Sequence, residues 1–503
     1  MPTNLLYICS DQHNRAMTGC YGHPEDVTPH LDTLAARGTR FTNAYTNSPI
    51  CMPARAALAT GRYVHQIGCW DNAHAYTGAP DSWHHRLRQQ GHRVDSIGKL
   101  HFRAGDDHGF SQAHFPLYRK GPGDIGSCAR AAMEKRTLRI DLDAAGPGDS
   151  SYLRYDRRNV DHACQWIDQR AADDGDKPWA LFLGIGSPHT PFIAPPEFYR
   201  RFDPDRVPLP PAWRQQDWPR HPALDFLRDR LSLDEPFAEE VVRKANATYL
   251  GLCAFVDHQV GLVLAALEAS GQGDNTTVVY TTDHGESMGA RGVVGKFTMY
   301  DESAAVPLVM AGPDVPADHI CQTPVSLVDS FQTALQATGA APAPADSQLP
   351  GASWIDIANA EDTDRTVLSE YHSLAVRHAV FMLRNRNHKY VHYHNDPPHL
   401  FAAEDTDELH NLAPDPAHAA TLGHMQAQLQ QILDPEKVDQ TAKADQQSYA
   451  AQHPLKPSVP APGPNITYTM IPPELDPGLA YDPAIQSPDW RPTRDLPDDW
   501  QEV

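Results

Sequence analysis

The chain lacks the marks of disulfide scaffolds, membrane spans and nucleic-acid binders. Its eight cysteines (Cys9, Cys20, Cys51, Cys69, Cys128, Cys164, Cys253 and Cys321) are scattered over 503 residues with no C-x-x-C pair. That spacing argues against a disulfide framework and against a structural zinc site. Positive charge is scarce: 42 Lys and Arg against 64 Asp and Glu leave a formal charge of −22. Such an acidic chain is unsuited to nucleic acid or an anionic membrane as a general partner. No segment reads as long and apolar enough to span a bilayer. Met1–Ile8 lacks the basic start and apolar run of a signal peptide and reads as the approach to a first strand. No internal repeat is visible. These absences predict a soluble protein in a reducing, cytoplasmic setting. A small anionic substrate would then need a locally basic pocket.

Against this background one segment stands out, Cys51-Met52-Pro53-Ala54-Arg55, running on to Thr60-Gly61-Arg62. Proline suits the first helical position and glycine the stop, so the segment predicts a short helix opened by Pro53 and ended at Gly61. Cys51 then lies at a helix N-terminus, where free N–H groups favour negative charge. Arg55, one turn further in, adds a fixed cation. The place suits an anionic nucleophile facing an anionic substrate.

Short apolar runs alternate with helical patterns along the chain. Leu5–Cys9, Thr39–Tyr45, Arg93–Ile97, Trp179–Ile185, Thr276–Thr282 and Val306–Met310 read as strands. Pro29–Arg37, Asp81–Gln90 and the long Glu239–Ser270 read as helices stopped by glycine. The alternation predicts an α/β fold with a large, mostly parallel sheet sandwiched by helices. Beyond His372 the pattern changes. Ala375–Met382 and Lys389–His394 read as successive strands and Thr421–Leu433 as a helix, predicting a smaller antiparallel sheet plus helix. The expected division is 1–370 as the catalytic α/β body, 371–435 as a C-terminal subdomain, and 436–503 as a proline-rich extended tail. That tail is a candidate arm for a homo-oligomer, a dimer or tetramer.

Polar residues gather just past the expected strand ends. Asp11 follows the first strand, Lys99 and His101 follow Arg93–Ile97, His189 follows Trp179–Ile185, and Asp283 and His284 follow Thr276–Thr282. Ligands of open α/β sheets bind at that edge. Asp11, Asp283 and His284 offer hard oxygens and one imidazole for a divalent cation such as Ca²⁺, Mg²⁺ or Mn²⁺. Arg55, Lys99, His101, His189 and Lys296 form a cationic or donor rim. Ion and rim together would neutralise a sulfate or phosphate.

The motifs resemble those of the sulfatase family within the alkaline-phosphatase superfamily. Ser48-Pro49-Ile50-Cys51-Met52-Pro53-Ala54-Arg55 with Thr60-Gly61-Arg62 resembles its signature. Gly98-Lys99-Leu100-His101, Ser187-Pro188-His189-Thr190-Pro191-Phe192 and Thr282-Asp283-His284-Gly285-Glu286 with Lys296 resemble further motifs in order. Lys389-Tyr390-Val391 and Pro398–Leu412 resemble the family's C-terminal subdomain. The resemblance implies that Cys51 is oxidised by a separate formylglycine-generating enzyme and that its hydrated aldehyde is both metal ligand and nucleophile. It implies an alkaline-phosphatase-like fold and hydrolysis of aryl or small alkyl sulfate monoesters. In that scheme Lys99, Arg55 and the ion hold sulfate oxygens. His189 with Lys296 serves the leaving oxygen, and His101 collapses the hemiacetal.

The chain also departs from the common pattern. Gln12 stands where many members have a second Asp, and His284 where many have Asn. Both changes occur in choline sulfatases and in phosphonate monoester hydrolases. Trp70-Asp71-Asn72-Ala73 resembles the choline sulfatases, making Asn72, with Gln12, a candidate substrate contact. A phosphonate monoester or phosphodiester hydrolase is the alternative activity, and an inactive binding homologue a third reading. Trp70, Trp83 and Trp179 suit core packing better than a cation–π box. Asp257 on the long helix reads as structural.

Overall fold

The computed structural model describes residues 2–119, 121–171, 177–360 and 363–453. Its centre is an eight-stranded sheet. In chain order the strands are β1 (Asn4–Asp11), β2 (Thr39–Phe41), β3 (Val94–Arg103), β4 (Gln112–Arg119), β5 (Ala180–Pro188), β6 (Thr276–Thr282), β7 (Leu308–Ala311) and β8 (His319–Cys321). Across the sheet they run β8-β2-β7-β6-β1-β5-β3-β4. All neighbours pair in parallel except β7, which is antiparallel to both β6 and β2.

β1 shows why the sheet must be covered twice. Side chains alternate along a strand. Leu6 and Ile8 face a core built with Val160, Trp166, Val256 and Val260. Leu5, Tyr7 and Cys9 face another, built with Leu58, Trp83, Phe331 and Leu335. The first core belongs to α1 (Pro29–Ala36), α4 (Ser151–Ala171) and α5 (Glu239–Ala269). The second belongs to α2 (Cys51–Thr60), α3 (Trp83–Gln89) and α6 (Ser330–Thr338). Contrary to the expectation from sequence, one segment, α5, is long and apolar enough to cross a membrane. Of its most apolar window 72% is buried inside the protein, as in a core helix. Asp257 on α5 accepts from the backbone N–H groups of His30 and Leu31 at 3.1 and 2.8 Å. It anchors the start of α1, the structural role expected for it.

The smaller sheet is antiparallel in the order β9 (Val367–Tyr371), β10 (Val380–Arg384), β11 (His388–Tyr393), β12 (His399–Ala402). β9 carries no clear signal in the sequence, and β10 starts later than expected. α7 (Ala419–Ile432) covers this sheet through Met425 and Leu429. The expectation of an irregular chain from residue 436 is corrected at its start. Pro435–Gln452 forms a further helix, α8. Pro435 opens its first turn, and Asp434 caps it by accepting from Glu436 and Lys437 N–H. A polar sequence hides a helix that buries only Asp439, Ala442 and Gln446. Residues 454–503, the remainder of the expected arm, lie outside the described residues.

Candidate active site

α2 begins two residues earlier than its proline suggests. Ile50 is the N-cap, Cys51 the first helical residue and Pro53 the third. Proline is tolerated there because no N–H in the first turn has an intrahelical acceptor. Gly61 closes the helix in the left-handed conformation, φ 65°, as expected. The helix N-terminus is pinned from outside: Met52 N–H donates to Asn72 Oδ1 at 3.1 Å.

The strand ends deliver the other groups. Asp11 ends β1, His189 follows β5, and Asp283 and His284 follow β6. Lys99 and His101 lie within β3 rather than past it, because the strand runs on through two register shifts. Gly98 sits at the first, with φ 87°; a Cβ there would lie 2.2 Å from Gly184 O. Gln12 and His101 also hold positive φ, 71° and 61°. Each such residue costs on the order of 1–3 kcal/mol, strain that clusters at functional sites.

Cys51 Sγ lies 3.2 Å from His284 Nε2 and 3.9 Å from Asp11 Oδ1. The ligand atoms of Asp11, Cys51, Asp283 and His284 all fall within 4.8 Å of one another, and all four residues are buried. The tautomer of His284 suits a metal. Its Nδ1–H donates to Gly285 O at 3.0 Å, leaving the Nε2 lone pair toward Cys51. Two carboxylates, an imidazole and residue 51 match the donors of a divalent cation.

Arg55 is committed elsewhere than expected. Its Nε donates to Asp283 Oδ2 at 2.8 Å, Nη1 to Lys99 O at 3.1 Å, and Nη2 to Asp11 Oδ2 at 3.3 Å and Ser10 O at 3.4 Å. With all three nitrogens so engaged, Arg55 orients the two carboxylates. Lys99 Nζ lies 2.7 Å from Asp11 Oδ2, with both side chains fully buried. Burial alone would raise Asp11 and lower Lys99. The pairing outweighs it, holding Asp11 well below and Lys99 above their usual values. Burial, then the Asp11 charge, pushes the Cys51 thiol up to about 12. An unmodified Cys51 is therefore a protonated thiol and a poor nucleophile.

Around this centre sits a second tier. His189 Nδ1–H donates to Thr190 O at 2.7 Å, so its Nε2 accepts from Lys296 Nζ at 3.3 Å. Burial and the charges of Lys296 and Lys99 hold the imidazole well below its usual pKa. The Gln12 side chain bridges Lys296 and Glu286, donating to Glu286 Oε2 and accepting from Lys296. It thus positions Lys296. His101 is buried with neither ring nitrogen hydrogen-bonded, and burial, then Lys99, holds its pKa well below normal.

Sequence reasoning missed three groups here. Tyr152 and Asp156, one turn apart on α4, reach the site from a helix that gave no motif. The Tyr152 ring stacks on His189 at 5.8 Å, and Lys99 Nζ lies 5.2 Å from its centre. Asp156 accepts from Gly186 and Ser187 N–H at 2.6 and 2.8 Å, fixing the chain that leads to His189. Glu286, quoted only inside a motif, is fully buried and accepts from Met288 and Gly295 N–H as well as Gln12. The tryptophans form no box: Trp83 is in the core, Trp179 meets Trp166 edge-on, and Trp70 donates to Asp445.

Residues 3–340 match the sulfatase family model. The chain belongs to the sulfatase family. Residues 289–434 match a second model, the C-terminal region of N-sulphoglucosamine sulphohydrolase. The sulfatase is 30% identical over 433 residues to arylsulfatase K of Danio rerio, covering 82% of this chain and 80% of that relative. It is 30% identical over 442 residues to choline-sulfatase of Rhizobium meliloti, covering 82% and 83%. Its fold matches phosphonate monoester hydrolase of Agrobacterium radiobacter with a TM-score of 0.67 at 23% identity, over 88% of this chain and 96% of the other. The alkaline-phosphatase-like architecture is thereby established, as is a sulfatase-type hydrolase whose nucleophile derives from Cys51.

Proposed function

We propose that this sulfatase hydrolyses sulfate monoesters through a formylglycine made from Cys51 by a separate maturing enzyme. The observation that carries the reading is the chemistry of residue 51. Its thiol is buried and held protonated, yet it lies at a helix N-terminus against Asp11 and His284. A thiol serves poorly there; a hydrated aldehyde serves well. Eight free cysteines support a reducing compartment.

Charge in the site supports an anionic substrate. Asp11 and Asp283 are balanced by Lys99 and Arg55. A divalent cation held by Asp11, Asp283, His284 and residue 51 leaves an excess of positive charge, to which Lys296 adds. When bound, the ion supplies Lewis acidity toward the diol and sulfate oxygens; Ca²⁺, Mg²⁺ and Mn²⁺ all fit these donors.

One hydroxyl of the hydrated residue 51 attacks sulfur as the ester S–O bond breaks opposite it, and the proton it loses recharges the Lys296 amine that has protonated the leaving oxygen. The leaving oxygen takes a proton from the Lys296 ammonium, which the lone pair of His189 and the carbonyl of Gln12 hold in place. The expected pair is thus divided: neutral His189 orients and Lys296 donates. Lys99 steadies sulfate oxygens through the N–H groups it does not direct at Asp11. The amide nitrogen of Asn72, whose oxygen holds Met52, serves the same anion. Neutral His101 then accepts the proton of the second hydroxyl. The C–O bond to sulfate breaks, sulfate leaves, and the aldehyde is restored. Splitting one displacement into two lowers each barrier.

Peptide mass spectrometry of the segment around Cys51 tests the reading. Conversion to the aldehyde lowers its mass by about 18 Da. An active preparation containing only unmodified Cys51 overturns it. Rates on matched aryl sulfates and phenylphosphonate monoesters rank the two ester classes.

A further inference from the structure

Among the described residues, two side chains that the strands bring to the reactive end of the sheet carry unpaired, shielded nitrogens. Both ring nitrogens of His101 and the Nε of Arg119 are shielded from solvent and make no hydrogen bond. His101 has a place in the chemistry above, whereas Arg119 has none. Arg119 ends β4, the edge strand that pairs in parallel with β3, the strand carrying Lys99 and His101. It therefore stands at the same strand-end edge as the catalytic groups. Its charge acts on Asp124, Tyr152, Cys51 and Tyr449, and also on His101. Asp124, the carboxylate in that set, is held by Arg136 in a two-bond fork of 2.9 and 2.8 Å. Among the described residues Arg119 forms no ion pair, in a chain with 64 acidic residues against 42 Lys and Arg. Burial pulls its pKa below the usual guanidinium value.

A shielded N–H without an acceptor is costly, and an orphaned buried donor calls for a ligand. The other cations are already tied to the reaction centre: Lys99 to Asp11, Arg55 to Asp11 and Asp283, Lys296 to Gln12 and His189. Arg119 is separate from that web, on the outermost strand. We propose that Arg119 recognises a second anionic group, a carboxylate or another sulfate, on the alcohol half of the substrate. The planar fork of arginine pairs with either anion through two parallel bonds. The same charge disfavours a quaternary ammonium alcohol, for which the tryptophans build no cage. The inference rests on the sulfatase reading and narrows its substrate class to sulfate esters with a second negative charge.

The test compares matured wild type with Arg119→Met and Arg119→Lys on four substrates: phenyl sulfate, 3-carboxyphenyl sulfate, resorcinol bis-sulfate and 3-(trimethylammonio)phenyl sulfate. The ratio of wild-type to variant kcat/KM on each cancels leaving-group differences. For Arg119→Met the loss on an anionic probe should exceed that on phenyl sulfate by about 10- to 100-fold, mainly through KM. Arg119→Lys should recover part of it, and the ammonium probe should gain. The carboxylate and bis-sulfate arms separate the two anions. An equal loss on all four overturns the proposal, since Arg119 would then serve the reacting sulfate or the fold. If Arg119→Met does not fold, Arg119→Lys and competitive inhibition of wild type by benzoate decide; no inhibition overturns it. If wild type cleaves no aryl sulfate, the sulfatase reading fails separately. Calorimetric binding of benzoate to wild type and Arg119→Lys then still reads Arg119, and absence of binding overturns the proposal.

Discussion

Two of the charge clusters in this protein are built to opposite ends. The first joins Asp11, Asp283, Arg55 and Lys99 at the strand ends. The second joins Asp301, Lys389, Glu408 and Arg15, where the smaller sheet meets the body. In the second, Lys389 Nζ reaches Asp301 at 2.7 Å and Glu408 at 2.5 Å. Arg15 binds Asp301 at 2.6 Å and Thr42 O at 2.7 Å, and Glu408 accepts from Asp301 N–H at 2.8 Å. Every charge there has a protein partner. In the first, Oδ1 of Asp11 meets only the Cys51 thiol, at 3.9 Å, and His284 turns a lone pair toward the same sulfur. Among the described residues, both ring nitrogens of His101 and the Nε of Arg119 stand by unpaired. A closed cluster holds parts of the fold together. An open one leaves valences for an ion and a substrate.

The largest effect that can test this contrast comes from Cys51→Ala. The open cluster should lose turnover by on the order of 10³-fold or more, because the nucleophile is gone. Little stability should go with it, since the thiol satisfies no structural donor, and the melting temperature should stay near that of wild type. A large drop in melting temperature would mean that the open cluster is structural after all. Lys389→Met should reverse the pattern. Removing the cation leaves Asp301 and Glu408 facing each other in a shielded site. Unfolding in denaturant should show a loss of about 3–5 kcal/mol, the usual consequence of breaking a buried pair. Activity per folded molecule should remain near wild type, because Lys389 touches nothing at the strand ends. If activity falls in step with kcat while stability holds, the two clusters are not separate.

Most of the first cluster was legible in the sequence, and little of the second. Asp11, Lys99, His189 and Asp283 follow short apolar runs whose strand character is plain, and strand ends converge in a parallel sheet. What the residues do to each other was less legible. Arg55 and Gln12 look like substrate contacts in one dimension; only the fold shows their donors already engaged. Tyr152, Asp156 and Arg119 sit in segments without a motif, brought in by helix packing and strand pairing. α8 was invisible for a different reason: it is polar nearly all round and owes its place to a few residues. Gln446 donates to Asp71 and to His372 O, and Asp445 accepts from Trp70. Those bonds hold the loop whose Asn72 pins the N-terminus of α2.

The smallest effect sharpens the border of the open cluster. Asp156 is fully buried, and burial lifts its pKa from 3.8 to about 6 despite the two backbone N–H groups it accepts from. In the unfolded chain the same carboxyl titrates near its ordinary value. Below that value it is protonated in both states. As the pH rises toward 6, the unfolded chain ionises first, and the stability gained from the protonated form is lost. Asp156→Asn cannot titrate; it keeps an oxygen for one of the two N–H groups and leaves the other without its acceptor, a loss that does not vary with pH. The stability of wild type relative to the variant should therefore fall by on the order of 2 kcal/mol between pH 4 and pH 7. Denaturant titrations across that range measure the gap directly. A gap that stays constant with pH would show that Asp156 ionises in the folded protein as freely as in the unfolded chain. Tyr152 and Asp156 would then stand on solvated ground, and the boundary of the open cluster would have to be drawn inside α4.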